Sequence, residues 1–478
     1  MIQRANSRPI PATADHLASL LVGWPESAHG TLAQRLANAI RAAVAAGLIG
    51  DGVSLPAERA LADALAVSRT TVTVALDQLR AEGIVESHRG SGSVVHSGQR
   101  SIASTRIGEH FSEWPGIDLA AGNPPDPSHW PAISISVADL IADGGGPGVQ
   151  PLGLLSLRAA LAARHSEAGR WTDVDQVHVT AGAHQAVALV VGSCVAPGEV
   201  LAVEDTSYPG IFDIIERLGA RAVPVVTDAA GLVPAALENV LREHQPKVLY
   251  VQTGPHNPTG RAPAPGRLRA LAPLLDRYDT VVVEDCALAD LAFDGRVGPE
   301  LADLCRRAVV TSVGSFSKVA WGGLRIGWLR APAPMIERTM HLRLAIDLGA
   351  SVPSQIIALR LLPHLADLAE RRRQSLKASA VHAAERLRAD FPTWTFNNPE
   401  GGSVLWVKLP LADSGPFVRL ARRHGVHVAP GSVARADRAA DPHIRICIDR
   451  PQEIVDAGLQ RLGLAWREIE LAPEPVLG

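Results

Sequence analysis

The stretch AVVTSVGSFSKVAWGGLRIGW, residues 308–328, decides how this chain is read. It opens with an uninterrupted Val-rich run, 308–315, of the kind that forms a strand buried on both faces. Ser315-Phe316-Ser317-Lys318 follows the strand end directly, and Arg325 stands seven residues after the lysine in GGLRIGW. Similar runs recur upstream: VHVTA at 177–181, VLAVE at 200–204, KVLYVQT at 247–253 and TVVVED at 280–285. Ala/Leu/Arg-rich helical stretches separate them. Strands alternating with helices predict an α/β fold with a mostly parallel sheet covered on both faces. Such sheets bind ligands at the carboxyl ends of their strands. Asp285 ends one strand, and Asn257 in HNPTG is read as ending another. Gly182-Ala183-His184 opens a helix after VHVTA, and Tyr208 stands in EDTSYPG.

These residue types match what pyridoxal 5′-phosphate (PLP) requires. The cofactor takes a lysine amine for a Schiff base, a carboxylate at its pyridine nitrogen, donors for its phosphate and ring oxygen, and an aromatic cover. Lys318 supplies the amine and Asp285 the carboxylate. Arg325 can make charge-assisted bonds to a phosphate. The 182–184 helix start offers free N–H groups and a favourable dipole. Tyr208 can cover the ring. The chain has four lysines (Lys247, Lys318, Lys377, Lys408) against 42 arginines. A Schiff-base lysine is one that arginine cannot replace. SxxK also occurs in penicillin-binding serine enzymes, but those need a later KTG, and no lysine here is followed by Thr-Gly. GGGPG at 144–148 lacks the GK[ST] of a phosphate loop and is read as a turn.

The ordered set GAH, SY, NPTG, VED, SFSK and R resembles fold type I aminotransferases, over roughly residues 117–470. By that resemblance Lys318 forms the internal aldimine, Asp285 pairs with the pyridine nitrogen and Asn257 contacts the ring oxygen. Ser315, Arg325 and the turn Gly182, Ala183, His184 hold the phosphate, and Ser317 is a further cofactor-binding residue. Arg445 in HIRICI matches the arginine that binds an amino acid's α-carboxylate; the plainer alternative is a surface strand arginine. Two tyrosines of the family pattern are missing. Ala287 and Leu288 stand where a donor to the ring oxygen is usual, and Gly148 is nearest to the position of the tyrosine that reaches a partner's phosphate. Gly210 replaces a second substrate arginine. The resemblance implies PLP binding on the remaining contacts and leaves transamination open.

The N-terminal part carries a different pattern, LPAERALADALAVSRTTVTVALDQLRAEGIVESHRGSGSVV at 55–95. Thr31 is read as the cap of a helix from about Leu32 to Ala46. A short helix over Glu58–Leu65 precedes a turn at Ala66-Val67, and Ser68 is a good N-cap for the next helix. That helix turns Val72, Leu76 and Leu79 inward, and Gly83 stops it. IVES and GSVV flank a hairpin wing with the basic tip His88-Arg89-Gly90-Ser91-Gly92. This is a winged helix-turn-helix, whose second helix suits a DNA major groove. Residues 54–100 hold five arginines against five acidic residues, so the electrostatic footprint on DNA is weak. The plainer alternative is a helical hairpin used for packing. The order LPAER, SRTTV, EG, RGSGS resembles the GntR-type winged helix. That resemblance puts Arg59, Arg69 and Arg89 at the DNA, with Ser68, Thr70, Thr71 and Gly90 beside them.

Together the two halves resemble the MocR/GabR family of bacterial transcription regulators. The implied organisation is a winged helix-turn-helix domain over 1–96, a linker over 97–116 and a PLP-binding aminotransferase-like domain over 117–478 with large and small subdomains. The implied partners are double-stranded operator DNA, an amine or amino-acid effector or PLP itself, and a second copy in a homodimer. A working aminotransferase with an appended DNA module, or a DNA-binding scaffold with a structural cofactor, are the alternatives. Length and composition agree: 478 residues exceed one ordinary domain, and 47% hydrophobic with 20% charged residues excludes disorder for most of the chain. The formal charge of -3 gives no global signal for nucleic acid. Four scattered cysteines without a CxxC pair argue against zinc and against a disulfide framework. No membrane span and no signal-peptide layout are found, so a cytoplasmic protein is expected.

Overall fold

The structure is a computed structural model, and it describes residues 10–11, 14–21, 24, 31–45, 48–50, 53–82, 84–88, 92–95, 105–108, 116–122, 127–144, 146–295, 298 and 300–471. Contacts divide the chain into two compact units between Ser112 and Glu113.

In the first unit, helices α1 (Ala14–Leu20), α2 (Leu32–Ala45), α3 (Glu58–Ala64) and α4 (Arg69–Ala81) surround one small core. Leu36, Ile40, Leu61, Val72, Leu76 and Leu79 are fully buried in it. The α3–turn–α4 pair follows from local chemistry. Ser68 has extended φ/ψ and its side chain accepts from the Thr71 N–H, satisfying a helix donor that would otherwise lack a partner. Strands β1 (Ile10–Pro11), β2 (Val53–Leu55), β3 (Val85–His88) and β4 (Gly92–Val95) form a sheet in the order β1-β2-β4-β3. The antiparallel β3–β4 pair, with His88 opposite Gly92, is the wing expected from IVES and GSVV. Helix α1 was not legible in the weak periodicity of residues 1–30. It buries Leu17 in the same core. Gly83 lies outside the described residues.

The second unit is built on a seven-stranded sheet. Its strands are β5 (Val177–Thr180), β6 (Val200–Glu204), β7 (Arg221–Val225), β8 (Val248–Gln252), β9 (Val281–Asp285), β10 (Val310–Ser315) and β11 (Gly327–Arg330), in the order β5-β11-β10-β9-β8-β6-β7. Strands β10, β9, β8, β6 and β7 pair in parallel. All five residues of β8 and all six of β10 are buried, as strands covered on both faces require. The expectation of a mostly parallel sheet holds, with one exception. β11, the tail of GGLRIGW, inserts antiparallel between β10 and β5. Its four residues contain too little pattern to announce a strand. Trp328 on β11 is buried against Phe316 at a ring separation of 5.5 Å.

A smaller layer completes the unit. Strands β12 (Thr395–Phe396), β13 (Val404–Lys408), β14 (Ala429–Pro430) and β15 (His443–Cys447) form an antiparallel sheet in the order β12-β13-β15-β14. Phe391, Trp394, Phe417 and Trp466 pack into its core. Among the described residues no helix is long and apolar enough to cross a membrane.

Candidate functional site

The carboxyl ends of β9 and β10 bring Asp285 and Lys318 to one edge of the sheet. Lys318 follows β10 by three residues and its Nζ donates to the Gly122 carbonyl oxygen at 2.6 Å. Burial, and next the Arg445 charge, push the Lys318 ammonium down from 10.5 to about 8. A substantial fraction of the amine is therefore neutral at mildly alkaline pH and available as a nucleophile. Asp285 closes β9. Its Oδ2 accepts from the Tyr250 hydroxyl at 2.6 Å and its Oδ1 from the Ala287 N–H at 2.9 Å.

The other candidates gather around this pair. Gly182 is the N-cap of helix α5 (Ala183–Cys194), with φ +104, a left-handed conformation that glycine adopts freely. A Cβ added there would stand 3.2 Å from Arg325 Nη2. Arg325 itself has φ +55, is exposed, and donates to the Ala181 carbonyl oxygen. A Cβ on Gly327 would approach the Gly182 and Ala183 backbone to under 3 Å. Two glycines thus let an arginine, a strand and a helix N-terminus meet in a cradle open to an anion. Ser315 Oγ is buried beside it and accepts from the Ser317 N–H at 3.1 Å. Tyr208 stands edge-on to His184, rings 6.2 Å apart, with its hydroxyl 3.4 Å from His184 Nδ1. The donor set fits a phosphorylated aldehyde with a basic ring: an anion cradle, a partly neutral amine, and a carboxylate.

Arg445 on β15 is 6% exposed, so it is not a surface strand arginine. Its Nη1 donates to Asn257 Oδ1 at 3.0 Å and its Nη2 to the Ala120 carbonyl oxygen at 2.6 Å. Asn257 does not end a strand: β8 stops at Gln252, and the following loop folds back. Gln252 secures it from both sides, accepting from the Asn257 N–H at 2.9 Å and donating to the Asn257 carbonyl oxygen at 3.0 Å. Sequence reasoning missed Tyr250, Gln252 and Gly122. Tyr250 and Gln252 sit inside a run read only as a strand. Their polar ends, at the carboxyl edge of that run, were the available signal.

Glu284, Cys286 and Glu300 place ligand-type atoms within 4.8 Å of one another. Their carboxylates are already engaged. Glu284 accepts from the Leu301 N–H at 2.6 Å and Glu300 pairs with Arg170 at 3.2 Å. Glu284 and Glu300 cap the short helix Leu301–Leu304.

In the first unit Arg59, Ser68, Arg69 and Thr70 are exposed along α3 and the start of α4. The Arg69 side chain is 72% exposed, with Nε 3.8 Å from Glu58 Oε2. Thr71 is only half-exposed, and its hydroxyl lies 2.8 Å from Ser68 Oγ, engaged in the cap. Arg80 is held by Asp77, Glu58 and Ser93 and serves packing. Arg89 and Gly90 lie outside the described residues.

Comparison with known proteins adds two family matches, two relatives and one solved structure. The family model "Aminotransferase class I and II" matches residues 115–462, and "Bacterial regulatory proteins, gntR family" matches 32–95. The chain is similar to the HTH-type transcriptional regulator YisV of Bacillus subtilis, 28% identical over 80% of this chain and 85% of that protein. It is also similar to the HTH-type pyridoxine biosynthesis transcriptional regulator PdxR of Corynebacterium glutamicum, 30% identical over 68% of this chain and 72% of that protein. Among solved structures, the α-aminoadipate aminotransferase LysN of Thermus thermophilus, complexed with N-(5′-phosphopyridoxyl)-L-leucine, superposes with a TM-score of 0.70. It is 25% identical and covers 78% of this chain and 97% of its own.

Proposed function

The chain belongs to the class I and II aminotransferase family and carries a GntR-family domain ahead of that fold, and from this premise we propose that it is a DNA-binding transcriptional regulator whose aminotransferase-like domain senses PLP, an amino compound, or both. One observation carries the reading. A lysine whose amine is partly neutral near pH 8 and a strand-end carboxylate share a chain with a winged helix that exposes Arg69. The proposed domains are 1–96 for DNA binding, 97–116 as linker and 117–478 for sensing and dimerisation.

PLP, when bound, supplies an electrophilic aldehyde carbon to which amines add. Lys318 would hold it covalently, Asp285 would face its ring nitrogen, and Asn257 its ring oxygen. Ser315, Ser317, Arg325 and the Gly182-Ala183-His184 turn would hold its phosphate, with Tyr208 at the ring. Arg445 would bind an effector's carboxylate through a charge-assisted pair. Arg59, Arg69, Arg89 and the residues around Ser68, Thr70, Thr71 and Gly90 would meet operator DNA. Effector binding would bias one of two arrangements of the chain and so change operator affinity.

A homodimer is part of the proposal. Val137, Ile141, Val149, Leu155, Ile346 and Leu348 are exposed on one unit, and the backbone at Gly349 packs against Gln150. Exposed apolar residues of this kind would supply an association surface for a second copy. A dimer implies a two-part operator and fits a cytoplasmic protein.

Footprinting of the chain's own promoter region with and without PLP and a panel of amino acids tests the reading. The expected result is protection of two half-sites that changes with ligand, and an Arg445→Ala chain that binds PLP but ignores carboxylated amines. Absence of protection under all conditions overturns it. A second reading, a working aminotransferase, is favoured by the intact Lys318, Asp285 and Arg445 set. Release of a keto acid from an added amino acid would support that reading.

A further inference from the structure

Tyr250 and Asp285 lie on neighbouring parallel strands, in the register Tyr250↔Val283 and Gln252↔Asp285. Registered residues share a face, and positions 250 and 252 alternate onto the same face. The Tyr250 ring therefore runs diagonally toward the carboxyl edge, where its hydroxyl meets Asp285 Oδ2 at 2.6 Å. A 2.6 Å O–H···O⁻ contact is a strong, charge-assisted bond. Tyr250 is fully buried, at 0% exposure. It is one of three tyrosines in the chain, and Tyr208, in the same site, is another.

We infer that Tyr250 is a positioning residue: its buried hydroxyl, donated to Asp285, holds that carboxylate in one orientation and keeps it ionised for a cationic ring nitrogen. The inference rests on the PLP reading above. Ala287 and Leu288 stand in place of a donor to the ring oxygen, and the Tyr250 phenol serves the aspartate.

The surroundings of Asp285 make the phenol necessary. Burial pushes the Asp285 carboxyl up, and the Tyr250 hydrogen bond is the largest influence opposing it, followed by the Ala287 N–H. Glu204 at the end of β6 pushes the carboxyl further up, and Lys318 after β10 pulls it down. Cys286, next in the chain, and Tyr208, across the site, also face it. Burial, and next the Asp285 charge, raise the Tyr250 phenol well above its ordinary range. It therefore remains a neutral donor at every working pH. Two donors thus hold the carboxylate, one per oxygen, and each oxygen keeps a further lone pair for a ring N–H⁺.

The experiment is the pH dependence of PLP affinity in the full chain and in Tyr250→Phe, read by borohydride-fixed adduct and by absorbance. Affinity depends on an ionised Asp285, so it falls as pH drops through that group. In Tyr250→Phe this acid limb should move up by roughly one pH unit, as the loss of one hydrogen bond to a charged group implies. The alkaline plateau should stay in place. A merely structural role would lower affinity at all pH values and leave the limb where it is; that result overturns the inference. Asp285→Asn should remove the limb in both backgrounds. Should Tyr250→Phe fail to fold, full chain carrying 3-fluorotyrosine, a more acidic phenol, at position 250 alone should move the limb down, and an unmoved limb overturns the inference equally. A parent chain that takes no PLP at any pH removes the functional reading itself, a failure distinct from an unmoved limb.

Discussion

The helix α4 surface and the Lys318–Asp285 cleft use charge in opposite ways. Arg69 is 72% exposed on a 13-residue helix, with Nε 3.8 Å from Glu58 Oε2. Arg445 is buried, and its partners Asn257 and Ala120 are 188 and 325 residues away in sequence. The exposed arginine costs little to keep, because water solvates it and its pair with Glu58 is worth at most about 1 kcal/mol. The buried one is tolerated only because other side chains and carbonyls already hold it. A module that reads a long polyanion can sit on the surface with no net charge. A module that holds a small molecule must assemble its polar groups inside a core.

The difference can be broken at its strongest point. Lys318→Ala should abolish the borohydride-fixed PLP adduct completely, measured by mass spectrometry; an adduct on Lys247, Lys377 or Lys408 would contradict the cleft. The next effect concerns the two cores. Leu76→Ala, at a fully buried position of the first unit, should cost about 2–5 kcal/mol. Calorimetry should show that loss in a transition of the N-terminal unit, with PLP capture unchanged.

A smaller effect is expected at the surface. Arg69→Ala should weaken operator binding by roughly 1–3 kcal/mol if it reads a base, with relaxed specificity at one position. If it touches only phosphate, binding should weaken uniformly and the salt dependence should flatten; an unchanged affinity removes Arg69 from the interface. The mildest test uses pH. The neutral fraction of Lys318 should rise about tenfold per pH unit up to about 8 and then level off. The initial rate of PLP capture should follow that curve. The stability consequence has a defined sign. The folded-state value lies below the ordinary 10.5, so this group's contribution is fully present above pH 10.5 and is lost as pH falls through about 8. Lys318→Met should flatten that part of the stability profile in thermal melts.

Much of the site was legible because its signals are local. The Ser68 cap, the Val-rich β9 and β10, the lysine just beyond a strand end and the glycine before helix α5 each follow from a few adjacent residues. Asn257 was read as a strand end, since a five-residue return loop looks like one until Gln252 is seen holding it. Strand β11 was missed because four residues, Gly327–Arg330, carry no alternation. Their role depends on β5, nearly 150 residues earlier. Helix α1 was missed because seven residues amid polar, proline-containing sequence show too little periodicity.

By itself the sequence determined the two modules, five of the seven strands of the larger sheet, and the residue types available at several strand ends, because periodicity, capping and strand-end chemistry act over a few residues. Only the tertiary structure decided that Tyr250 serves Asp285, that Gly122 and Ala120 lend their carbonyls to Lys318 and Arg445, and that two glycines admit Arg325 beside helix α5. Those contacts join residues from 35 to 325 positions apart. They arise from sheet register and close packing, which no short window of sequence contains.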